Sequence, residues 1–179
     1  EFKSLLTENE YNKLLDFFTN AKSDFQTNHY FDTKRFSLKA LNASLRVRER
    51  ENFELTFKRK KGYSTDLKSV EITIDDFNKL KETGVVEHEE LAGDLANLIK
   101  EQKLTNFLSL STLRHYVPYA SGILNIDKSE YVGITDYEIE FTSRNYHQGK
   151  SDFIKIISEF GIQYKKSEKK IKRAFNALK

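Results

Sequence analysis

The stretch Leu45–Lys60, LRVRERENFELTFKRK, decides the fold, because both of its halves alternate side-chain type with the two-residue period of a β-strand. In the first half Leu45 and Val47 face one way and Arg46, Arg48 and Arg50 the other. In the second, Phe53, Leu55 and Phe57 oppose Glu54, Thr56, Lys58 and Lys60. The spacing predicts a hairpin with one oily face and one strongly basic face. Such a hairpin is ordinary on a half-exposed antiparallel sheet, where the charged face simply meets water. What sets this one apart is that other segments repeat its phase with charges of the opposite sign.

Toward the carboxyl terminus, Lys61–Lys68 carries glycine, serine and aspartate and reads as a loop leading to SVEITI, Ser69–Ile74. There Val70, Ile72 and Ile74 are apolar, and Glu71 and Thr73 take the polar side. STLRHYV, Ser111–Val117, sets Thr112, Arg114 and Tyr116 against Leu113, His115 and Val117. GILNID, Gly122–Asp127, places Leu124 and Ile126 opposite Asn125 and Asp127. DYEIEFT, Asp136–Thr142, alternates most clearly, with Tyr137, Ile139 and Phe141 opposing Asp136, Glu138 and Glu140. Toward the amino terminus, TNHYFDT at Thr27–Thr33 is an aromatic, β-prone strand, and Leu38–Ser44 connects it to the hairpin. Glu1-Phe2-Lys3 fits the end of a strand with Phe2 turned to the core.

Helical spacing marks the covering elements. Thr7 and Glu10 have capping-box spacing ahead of a stripe of Tyr11, Leu14, Leu15 and Phe18. Asp75 can cap a short helix ended by Gly84, and a second helix from about His88 to Gln102 carries Leu91, Leu95, Leu98 and Ile99. Ser151 opens another, with Phe153, Ile154, Ile157 and Phe160 on one face and Gly161 after it. The last segment, KKSEKKIKRAFNALK, is a basic helix, or a strand followed by one. His29 and His88 read as packing or surface residues rather than ligands.

With 179 residues and no proline-, glycine- or serine-rich linker, the chain is expected to form one domain, 1–179. Charged residues reach 32% and hydrophobic residues 38%, which suits an extensive polar surface, an internal one included. The net charge of +3 supplies no overall field for nucleic acid, so any anion site must come from local clustering. Cysteine is absent, which excludes disulfides, a thiolate zinc site and a thiol nucleophile and makes a reducing cytoplasm the expected setting. No apolar run is long enough for a transmembrane helix and no signal segment opens the chain, so a soluble intracellular protein is expected. Methionine is also absent, and a native start upstream of Glu1 is expected.

Together the polar faces hold Lys3, Arg46, Arg48, Lys58 and Arg114 against Glu1, Glu71, Asp127, Glu138 and Glu140. On an open sheet they face water; on a closed one they line a channel, with the oily side covered by helices. A mixed-sign lining has a chemical use. Clustered arginines and lysines bind polyanionic phosphates, and paired carboxylates hold hard divalent cations through oxygen.

The ordered set YFDT, LRVRE, FELTFKRK, VEI, STLR, LNID, DYEIE and KKIKRAF resembles the CYTH superfamily, the triphosphate tunnel metalloenzymes, and in particular its bacterial YjbK-like branch, over nearly the whole chain. Glu1-Phe2-Lys3 resembles the end of the family's Glu-x-Glu-x-Lys signature. The resemblance implies an α+β fold: a closed antiparallel eight-stranded β-barrel forming a tunnel, with helices packed outside. It implies metal-binding roles for Glu1, Glu138 and Glu140, phosphate contacts for Lys3, Arg46, Arg48, Lys58 and Arg114, and positioning roles for Glu71 and Asp127. Lys170 matches the family's carboxy-terminal lysine, with Lys169 as the other choice. The activity implied is Mg²⁺- or Mn²⁺-dependent hydrolysis of a triphosphate compound, most simply inorganic tripolyphosphate. Alternatives are thiamine triphosphate, an RNA 5′ end, adenylate cyclisation, or a noncatalytic module that binds triphosphate or polyphosphate. No membrane partner is expected, and no nucleic acid apart from an RNA 5′ end.

Overall fold

A computed structural model describes the whole chain, Glu1–Lys179. Its elements are β1 (Phe2–Leu6), α1 (Glu8–Phe17), β2 (Lys22–Thr33), α2 (Ser37–Ala40), β3 (Ala43–Glu49), β4 (Phe53–Lys61), β5 (Ser64–Ile72), α3 (Ile74–Thr83), α4 (Glu89–Ile99), β6 (Leu104–Tyr119), β7 (Gly122–Tyr131), β8 (Ile134–Ser143), α5 (Tyr146–Glu159) and α6 (Lys170–Ala177). Eight antiparallel strands and six helices make this the expected α+β class. No helix is long and apolar enough to cross a membrane.

The chain divides into two compact units, Glu1–Phe25 with Leu110–Lys179, and Gln26–Ser109. In the first the strand order is β1-β8-β7-β6. Its oily face carries Leu6, Val117, Leu124, Ile126, Ile139 and Phe141, packed with Tyr11 and Leu14 of α1 and Phe153 and Ile156 of α5. In the second the order is β2-β3-β4-β5, and Phe31, Leu45, Val47, Leu55, Phe57 and Ile72 pack with Phe77 and Leu80 of α3 and Leu91, Leu95 and Ile99 of α4. Burying one face leaves the polar side chains of each unit's strands on the other, since successive residues alternate.

The capping box at Thr7 forms as expected: the Thr7 amide donates to Glu10 Oε1 at 2.8 Å and the Glu10 amide to Thr7 Oγ1 at 3.1 Å. Several expectations need correction. The Lys61–Lys68 loop shrinks to a two-residue turn, because Gly62 at φ +59° reverses the chain at once and β5 starts at Ser64. Thr73, not Asp75, caps α3: ending β5 in an extended conformation, its Oγ1 accepts from the Asp76 amide at 3.1 Å while Asp76 accepts from the Thr73 amide. α5 begins at Tyr146, with Asn145 as its cap, five residues before Ser151. Its first turn is held close to the sheet at Gly149, where a Cβ would lie 2.7 Å from the Ser143 side chain. β6 begins at Leu104, where the Asn106 side chain donates to Tyr30 O and Leu108 O and interrupts the plain alternation.

Candidate active site

The register of the first unit stacks its polar face in rows. Arg114, Asp127 and Glu138 are direct cross-strand partners, as are Asn125, Glu140 and Lys3 in the next row. Two carboxylates placed opposite one another repel, and Asp127 and Glu138 are 0% and 2% exposed. Cations resolve this. Arg114 donates to both Asp127 oxygens at 2.8 Å, and Lys170 Nζ, from the start of α6, donates to Asp127 at 2.7 Å and Glu138 at 3.0 Å. One helical turn on, Arg173 donates through Nη1 to Glu138 at 3.0 Å and through Nε and Nη2 to Asp136 at 3.0 and 3.1 Å. Ser167 donates to Glu138, and Tyr131 to Asp136.

This network sets the charge states. Burial pushes Asp127 and Glu138 up. The Arg114 hydrogen bonds and the Lys170 charge at Asp127, and Lys170, Ser167 and Arg173 at Glu138, outweigh that and hold both carboxyls below their ordinary values. Burial likewise pushes Lys170 down, but Asp127 and Glu138 raise it further, so it stays charged. Glu140 differs. Burial and repulsion from Glu1 raise it, against weaker attraction from Arg114, 3.9 Å away, and Lys170; Asn125 donates to it at 3.3 Å. As the side chains lie, no three carboxylates or histidines converge closely enough to hold a metal.

The polar face of the second unit is built differently. Its rows are Asn28–Arg48–Glu54–Glu71, Tyr30–Arg46–Thr56–Ser69 and Ser44–Lys58–Leu67. Arg48 Nε donates to Asn28 at 3.4 Å, and burial together with the charges of Arg46 and Arg50 lowers its pKa. The Nε of Arg46 is buried with no hydrogen-bond partner. Two guanidiniums thus share one face, and one of them has a nitrogen without an acceptor. Lys58 and Glu71 share this face and are exposed.

In the first unit, then, Arg114, Asp127, Glu138, Glu140 and Lys170 form one network, with Lys3 opposite Glu140 and Glu1 acting on it. Arg46 and Arg48 take adjacent same-face positions in the second unit, with Lys58 and Glu71 on the same face. Lys169 is the exposed cap of α6, so Lys170 is the lysine that reaches the carboxylates. Arg173, Asp136 and Ser167 have no place in the expected site. Only the three-residue spacing of Lys170 and Arg173, which puts both on one helix face, hints at the first of them. His29 is a packing residue: its ring lies 4.8 Å from Phe77 and bridges Ser109 and Glu49 at 2.8 Å each.

A CYTH domain model matches residues 1–175. A Bacillus subtilis (strain 168) protein, YjbK, named provisionally as a triphosphatase, is 32% identical over 178 residues, 98% of this chain and 93% of YjbK. A Bacillus halodurans structure, named provisionally as an adenylate cyclase, superposes with a TM-score of 0.74 at 30% identity over 97% of this chain and 95% of its own. HpAC1 from Hippeastrum, provisionally an adenylyl cyclase and described as having a dominant triphosphatase activity, shares the fold with a TM-score of 0.72 at 20% identity over 99% and 94%. With a match along almost its entire length, the chain belongs to the CYTH domain family.

Proposed function

We propose that this protein is a metal-dependent triphosphatase whose simplest substrate is inorganic tripolyphosphate. The observation that carries the reading is the arginine pair Arg46 and Arg48, crowded on one face with a buried guanidinium nitrogen left without an acceptor. Oxygens of a phosphate chain supply the missing acceptors and relieve the like-charge repulsion. The relation to YjbK supports the same assignment.

In this reading Arg46, Arg48 and Lys58 are the phosphate-contacting residues of the second unit, and Arg114 and Lys3 those of the first. Asp127 fixes Arg114 in place, and Glu71 orients basic side chains and water. Lys170, held charged by Asp127 and Glu138, stands ready to meet the polyanion. Water attacks the terminal phosphorus in line, its oxygen bonding to phosphorus as the bridging P–O bond breaks, and phosphate and pyrophosphate leave.

The donor set suits a hard divalent cation. Glu140 and Glu1 repel one another, and oxygen-seeking Mg²⁺ or Mn²⁺ would relieve that strain. Glu138 would join them by releasing one of its present donors. The cation when bound supplies charge neutralisation at the phosphoryl oxygens.

Phosphate release from tripolyphosphate, thiamine triphosphate, ATP and 5′-triphosphate RNA, each with Mg²⁺ or Mn²⁺, tests the assignment. Fastest metal-dependent release from tripolyphosphate is expected. Tight binding without release from any of them would make the protein a binding module instead.

A further inference from the structure

The β4–β5 hairpin carries a charge pattern that runs beyond the residues the triphosphatase reading uses. Between Lys58 and Lys68, five cations and one carboxylate leave +4, against +3 for all 179 residues. The acids that moderate it act on one side. Asp66 lies 3.7 Å from Lys61, and Asp94 of α4 lies 2.5 Å from Lys68. The register puts Asp66 opposite Arg59 and Lys68 opposite Phe57, on the face away from Lys58 and Lys60. On the Lys58 face, the three rows from Arg46 to Lys60 hold Ser44, Thr56, Ser69, Leu67 and Thr65 and no carboxylate.

Arg46, Lys58 and Lys60 therefore climb toward the tip in successive rows, about 7 Å apart at two strand residues per step. At the tip Tyr63 is fully exposed, and beside Lys58, on the same face as Lys60, Leu67 is 61% exposed. Neither packs in a core. A string of cations ending in an unpacked aromatic ring is what an extended single strand needs, since lysines meet its phosphates and the ring meets a base face. An inorganic phosphate chain would use the lysines but has nothing for Tyr63 and Leu67 to touch.

We propose that the β4–β5 hairpin is a docking finger for single-stranded nucleic acid, with Lys58 and Lys60 on phosphates and Tyr63 stacked on a base. The proposal goes beyond the triphosphatase reading and does not depend on it.

The test uses fluorescence anisotropy of the full chain with a short labelled poly(U) RNA bearing a 5′-hydroxyl, over a salt series, so that no triphosphate is present. Circular dichroism establishes that each variant is folded. Wild type is expected to bind with a steep salt dependence. Lys58→Gln/Lys60→Gln should lower the log–log salt slope by roughly 1.4, at ~0.7 for each phosphate no longer neutralised. Tyr63→Ala should weaken binding about 5-fold or more with the slope unchanged. Absence of RNA binding by wild type, or equal binding by folded variants, overturns the proposal. So does binding that needs the lysines but is indifferent to Tyr63 and is matched by inorganic polyphosphate, which would make the hairpin a general polyanion surface.

Discussion

The polar faces of the two units follow opposite electrostatic designs. In the first, Asp127 and Glu138 are buried and fully engaged by Arg114, Lys170 and Arg173, so charge is balanced within the protein. In the second, Arg46 and Arg48 are crowded and Arg46 lacks an acceptor at Nε. The first arrangement meets its charges within the fold; the second leaves a donor that, in the proposed reading, an anion would meet. Each design predicts a different response to mutation.

The largest effect should come from Asp127→Ala, which leaves Arg114 and Lys170 without the anion they share. A loss of about 3 kcal/mol in unfolding free energy is expected, the low end of the range for breaking a buried ion pair because both cations keep some water. Arg46→Met should instead change stability by less than about 1 kcal/mol. Urea denaturation of both variants measures the contrast, and equal losses would break it.

Next come the carboxylates. Glu138→Gln and Glu140→Gln keep side-chain shape but lose the charge that holds a hard cation, so each should lower tripolyphosphate hydrolysis about 100-fold at limiting metal. Titrating Mg²⁺ or Mn²⁺ checks this: partial recovery at high metal is expected, and full activity at low metal in either variant would remove that residue from the metal set. Arg46→Lys and Arg48→Lys keep charge but lose the planar fork, and should each cost roughly 1–3 kcal/mol in kcat/KM with little change in stability.

The smallest effect is in the pH dependence. Asp127 and Glu138 have depressed values, so their stabilisation is present above the unfolded carboxyl value of about 4 and is lost as pH falls through their folded values. Glu140 is raised, so its stabilisation is present below about pH 4.3 and is lost as pH rises through its folded value. Asp127→Asn should flatten the acid limb of the stability curve. Glu140→Gln should remove the decline just above it, as urea midpoints between about pH 3 and 7 would show.

Strand phase made much of this legible in the sequence. Arg46 with Arg48, and Glu138 with Glu140, share faces because a two-residue period leaves no other choice, and the register puts Arg114 and Asp127 side by side. What phase cannot say is which charges from other elements turn inward. Arg173 sits among lysines on a short basic helix, and only its three-residue spacing from Lys170 sets it apart from the exposed Lys172. The choice is made by Asp136 and Glu138, distant in sequence. Caps show a similar limit, since Thr73 and Asp75 both suit an N-cap and only the end of β5 decides between them. Balance between the charges was equally hidden: composition counts Arg46 and Arg114 alike, yet one holds an unmet donor and the other a carboxylate.

Calorimetric titration of tripolyphosphate with EDTA present tests that difference most directly, comparing wild type, Arg46→Lys and Arg114→Lys. Because Arg114 is already committed to Asp127, Arg46→Lys should weaken binding about 10-fold and Arg114→Lys less than about 3-fold. Equal losses, or a larger loss for Arg114→Lys, would contradict the assignment of the second unit's arginines as the phosphate clamp.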